Sequence, residues 1–110
     1  MKIYDAPTLA AAAVAPSGGR PATTLVHDSN EARVVLFRLD PGQAVPVHAT
    51  ASTVLLTIIS GTGTVIGEHG ERTVKPGDIV ANAEHEPHGM QAVGEQFIFA
   101  DVIAPRPGPR

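Results

Sequence analysis

The chain has 110 residues, 43% of them hydrophobic and 17% charged, with a formal net charge of -3 and no cysteine. That length holds one domain with a modest core. The acidic balance argues against a basic face for nucleic acid, and the lack of thiols excludes a disulfide framework, a thiolate nucleophile and a cysteine zinc site. No run of ~18 apolar residues is present, so no membrane span is expected. The start lacks a basic region followed by a long apolar one, and the alanine-rich run at residues 9–14 is too short for a signal peptide. The expected location is the cytoplasm.

Residues 6–16 favour a turn or two of helix, opened by Pro7 and ended by Pro16. With the loop at residues 17–21 they form an expected N-terminal arm over 1–22. From Thr23 the pattern changes to short strands with punctuation. Expected strands cover residues 24–27, 32–39, 44–48, 53–59, 62–67, 71–75, 79–82, 88–93 and 96–103. Asp28-Ser29-Asn30, Pro41-Gly42, Ser60-Gly61, Gly70 and Pro76-Gly77-Asp78 supply the turns. Residues 104–110 read as a frayed, proline-rich tail. Such spacing argues for an all-β sandwich or barrel over 23–103.

Residues 41–61 carry the most informative pattern. Gly42, His48 and Gly61 are spaced as in Gly-x5-His-x-His-x3-Glu-x6-Gly, with Thr50 at the second His and Val54 at the Glu. A second stretch places Gly77 and His88 as in Gly-x5-Pro-x-Gly-x2-His-x3-Asn, with Ala83, His85 and Ala92 at the other positions. These two motifs resemble those of the cupin family, in particular small single-domain cupins of the conserved-barrel, RmlC-like type, with a degenerate metal motif. The resemblance implies a jelly-roll β-barrel, a cavity for a small-molecule ligand and a homodimer.

In metal-bearing cupins three His and one Glu of these motifs hold a divalent metal. Carried over residue by residue, only His48 and His88 remain as ligands, for zinc, nickel, iron, manganese or copper. A third ligand would come from Glu84, His85 or Glu86 if their loop folds over the cavity mouth, and His85 is the metal candidate among them. Alternation along a strand sends Thr50 to the same face as His48. Val54 and Met90 are expected to line the cavity, and Arg38 to do so if its face of the strand lines the barrel. In that case its guanidinium is a handle for a carboxylate-bearing ligand. His69 falls at a hairpin tip, and His27 reads as structural or exposed. The apolar run at residues 54–59 is two-sided, so its outer face suits either a neighbouring sheet or a subunit interface. Two functions stay open: a non-catalytic barrel that binds a small molecule with a weak or rearranged metal site, and a metal-dependent enzyme of dioxygenase or isomerase type using His48 and His88.

Overall fold

The computed structural model describes residues 1–107. A short helix, α1 (Ala6–Ala12), precedes β1 (Ala22–Asp28), β2 (Arg33–Leu39), β3 (Ala44–His48), β4 (Thr53–Ser60), β5 (Gly63–Gly67), β6 (Gly70–Val74), β7 (Ile79–Asn82), β8 (His88–Ala92) and β9 (Phe97–Ala104). Asp5 caps the helix by accepting from the Thr8 N–H at 3.3 Å, and Pro7 lies in the first turn, where no N–H is needed. The helix ends at Ala12, short of Pro16. A helix of this length is marginal in water by itself. It persists because Ala10 is buried and because β2 grips its last turn, as described below.

The strands form two antiparallel sheets, one ordered β1-β2-β9-β4-β7 and the other β3-β8-β5-β6. Period-two alternation decides which side chains meet between them. Val54, Leu56 and Ile58 of β4 are buried, while Thr53, Leu55 and Thr57 between them face outward. Cross-strand register joins Ile58 to Phe99 and Phe99 to Phe37, and the latter two rings stack with centroids 5.1 Å apart. From the second sheet Val74, Met90 and Ala92 complete the same cluster. Each aliphatic side chain buried there stabilises the fold by about 1.5–3 kcal/mol relative to exposure. This two-layer β core is the expected jelly roll.

Gly61 shows how tightly the chain turns after β4. Its φ is 71°, and an added Cβ would lie 1.9 Å from the carbonyl oxygen of Gln96. Only glycine lets that turn lie against the chain entering β9. The C-terminal stretch differs from the frayed tail expected of it. Ser52 Oγ donates to the Pro105 carbonyl at 2.8 Å, and Arg106 makes a two-pronged ion pair with Asp28. That pairing holds the Asp28 carboxyl down at about 2, with Arg33 adding to the effect. The rest of the tail, residues 108–110, lies outside the described residues.

Candidate functional site at the mouth of the barrel

β3 and β8 run antiparallel, with a register shift between Val45 and His48. The irregularity sets His48 directly opposite His88. Gly89 permits the approach, because a Cβ there would come within 3.0 Å of both the Val45 carbonyl and the Val47 amide nitrogen. The two imidazoles are 4.5 Å apart between centroids and tilted by 55°. His88 is buried and His48 is exposed.

Backbone carbonyls orient both rings. His48 Nδ1 donates to the Pro46 carbonyl and His88 Nδ1 to that of Glu86, each at 2.9 Å. A carbonyl oxygen only accepts, so both Nδ1 atoms carry a hydrogen, and in the neutral ring this leaves the lone pair on Nε2. The same carbonyl bond orients metal-binding histidines in general.

The remaining expected ligands do not join them. β3 ends at His48, so alternation stops before Thr50. The Thr50 hydroxyl is used within its loop, donating to the Ser52 carbonyl and accepting from the Ser52 N–H, both at 3.2 Å. Expected to line the cavity, it is instead a loop-bracing residue. His85 occupies a turn at φ 64° with an exposed side chain, and its N–H donates to the Thr50 carbonyl at 2.6 Å. The turn therefore aims the backbone of His85, not its ring, at the loop after β3. Glu86 caps the same turn, accepting from the Ala83 N–H at 2.9 Å. Among the described residues no group of three or more His, Asp or Glu is arranged to hold a metal ion. The donor set does not form the family's four-ligand cage, and His85 is corrected as its third member.

Val54 is 2% exposed and packs in the core cluster. Met90 is buried as well and forms part of the wall of a cleft of about 290 Å³ between the β5–β6 hairpin and β7 and β8. Leu56, Val65 and Val80 share that wall with Met90, Asn82 and His88 add polar groups to it, and Glu68, Glu71, Arg72 and Glu86 add charged ones. No motif marks Arg72 in the sequence, yet register places it in one row with Val65, Met90 and Val45. The alternation of Arg72 with core-facing Val74 is the signal that shows it.

Arg38 lies on the other face of its sheet. Its Nη1 donates to the carbonyls of Ala10, Ala11 and Ala13 at 3.0, 2.9 and 2.9 Å. Its Nε is 3.4 Å from the Asp40 carboxylate, close enough for attraction but without a hydrogen bond. A cation at the helix C-terminus satisfies carbonyls that have no helical partner. The expected cavity handle is therefore a helix clamp. Arg38→Met is expected to cost about 2 kcal/mol of stability in urea unfolding, the scale of losing charged hydrogen bonds, without changing any ligand binding in the barrel.

Asp101 is a second group that no motif marks. On β9 it alternates with Phe97 and Phe99, both fully buried, and is itself only 6% exposed. Its Oδ1 has no hydrogen-bond partner among the described residues. Burial alone pushes its carboxyl up to about 7.

The family model for the cupin domain (Cupin_2) matches residues 35–103. An uncharacterized conserved protein with a double-stranded β-helix domain from Klebsiella pneumoniae subsp. pneumoniae MGH 78578 is 30% identical. That likeness covers 96% of this chain and 91% of that one, with a TM-score of 0.83. TT1209 from Thermus thermophilus is 27% identical over 97% of this chain and 100% of its own, with a TM-score of 0.85. The DMSP lyase DddQ from Ruegeria pomeroyi DSS-3 shares the fold at 20% identity, over 77% of this chain and 47% of its own, with a TM-score of 0.71. No curated protein matches the chain. With its β-barrel, its spacing of glycines and histidines and a family match across most of its length, the chain belongs to the cupin domain family.

Proposed function

We propose that this protein is a small-molecule-binding cupin, with a weak divalent-metal site at His48 and His88. The observation that carries the reading is the cleft of about 290 Å³, where an apolar wall of Leu56, Val65, Val80 and Met90 meets His88 and Asn82 under a charged rim of Arg72, Glu68, Glu71 and Glu86. An apolar pocket with a few convergent polar groups is the usual form of a ligand site. The metal would rest on two Nε2 lone pairs, whereas lasting zinc sites take three or four protein ligands. Binding in the micromolar range or weaker is expected for nickel or zinc by calorimetry. His48→Ala should abolish the heat of binding without altering the fold, since the side chain is exposed. An unchanged isotherm in that variant would sink the site assignment.

The second reading is a metal-dependent enzyme of dioxygenase or isomerase type. Its support is the paired imidazoles, held in one tautomer, with Glu86 and His88 on the same cleft. The fold alone does not favour a reaction, because the likeness to a lyase is at 20% identity. Metal-dependent turnover that disappears on chelation and returns on metal addition would select it.

We also propose a homodimer. Leu55 on the outer face of β4 is 37% exposed, and Ile79 on the edge strand β7 is 69% exposed. Register sets β7 beside β4 on that sheet, so both apolar side chains suit a second copy. Light scattering should give about twice the chain's mass of 11.4 kDa. A monomer mass across a wide concentration range would overturn it.

A further inference from the structure

Along the inner face of the five-stranded sheet, register aligns Val80, Leu56, Asp101 and Val35 in one row across β7, β4, β9 and β2. Val80 and Leu56 line the cleft. Asp101 is the next side chain along the row, one strand spacing of about 4.8 Å beyond Leu56. On its own strand it shares the inward face with Phe99, which is fully buried. An unpartnered carboxyl oxygen in such surroundings costs stability unless something hydrogen-bonds to it.

The charged or titratable side chains on the inward faces around it are few. Arg33 of β2 shares the inward face with Val35, but its Nε is held 3.4 Å from Asp28. Opposite, β3, β8 and β6 present His48, His88 and Arg72. Nothing among them makes an ion pair or hydrogen bond with Asp101 among the described residues.

We propose that Asp101 is the deep polar anchor of the ligand site, hydrogen-bonding a hydroxyl or carbonyl oxygen of a small, neutral, otherwise apolar ligand that enters through the cleft. The inference rests on the barrel being a small-molecule site and is independent of the metal. An anionic ligand would meet Asp101 and, at the rim, Glu68, Glu71 and Glu86, against the single cation Arg72. A cationic ligand would leave water for an apolar wall with one carboxyl as partner, which is costly even for a formed ion pair. A neutral oxygen can accept the hydrogen bond that the carboxyl, still protonated at pH 6, has to donate and for which Oδ1 has no partner among the described residues, while its apolar body covers Leu56, Val80 and Met90.

The test is an amide NMR titration at pH 6 with cyclohexanone, cyclohexylamine and cyclohexanecarboxylate as probes. Cyclohexanone should shift the amides of Leu56, Val80 and Asp101 and bind at least tenfold more tightly than the charged probes. Asp101→Val should weaken it tenfold or more, Asp101→Asn by less than threefold because an amide still donates, and Arg38→Met, on the other face of its sheet, not at all. Equal binding of the three probes, or cyclohexanone binding undiminished in Asp101→Val, would overturn the anchor while leaving the barrel a ligand site. If valine prevents folding, a loss of tenfold or more in Asp101→Asn also overturns it. Absence of any probe-induced shift at Leu56 and Val80 would remove the ligand-site reading itself, and this inference with it.

Discussion

Asp101→Asn is expected to be less stable than the wild type at pH 4 and more stable at pH 8. The carboxyl stands at about 7 in the folded chain against an ordinary value of 3.8, and burial is the cause. Below the unfolded value both states hold the proton, so its ionisation costs nothing. Between the two values the unfolded chain has lost the proton and the folded chain has kept it, so stability falls as pH rises. Above about 7 both are ionised and the full penalty remains. At about 1.36 kcal/mol for each pH unit, the wild type should lose about 4 kcal/mol across this window. Asparagine carries no such slope, but it buries an amide with two unpaired N–H donors where the protonated carboxyl has one O–H, which costs about 1–3 kcal/mol at every pH. The two urea-derived stability curves should therefore cross. Parallel curves from pH 4 to pH 8 would show that Asp101 is solvated in the folded protein and does not face the interior.

How much of this is legible in the sequence depends on whether a strand carries its own pattern. Residues 44–48 and 79–82 are strands at the bounds expected, because Pro41-Gly42 and Pro76-Gly77-Asp78 end the preceding elements by local backbone chemistry. Val35, Phe37 and Leu39 do share the inward face, since alternation is a property of the strand alone. Which of two faces meets the barrel is not local, and Arg38 shows it. The face shared by Leu36 and Arg38 is covered by α1, an element 25 or more residues earlier in the chain. Thr50 departs from expectation for a different reason. Parity does not extend past His48, where the strand ends and a hydroxyl-braced loop begins. Asp101 is readable from its spacing to Phe97 and Phe99, but a lone charged residue in a strand looks like a solvated one until its neighbours on β2 and β4 are known.

Rebuilding the family's ligand set gives the other large effect, and the structure divides it unequally between two positions. Val54 is buried on the inward face of β4, where the family's Glu would stand. Val54→Glu is therefore expected to raise zinc affinity about a hundredfold over the two-imidazole site, since a carboxylate completes the three protein ligands of an open zinc site. Without metal the same change should cost about 3 kcal/mol or more, because it puts an unpaired acid in an apolar cluster. Zinc should restore that stability, as a ligand bound only by the folded state does. Thr50→His adds less. Its side chain starts from a loop whose hydroxyl holds both the N–H and the carbonyl of Ser52, so the imidazole reaches the pair only if that loop opens. The double variant is expected within about tenfold of Val54→Glu alone, a third imidazole offset by the lost loop bonds. Calorimetry with zinc, together with urea unfolding before and after chelation, measures both halves. A folded Val54→Glu protein with wild-type zinc affinity would mean that β4 and the His48–His88 pair do not face one another.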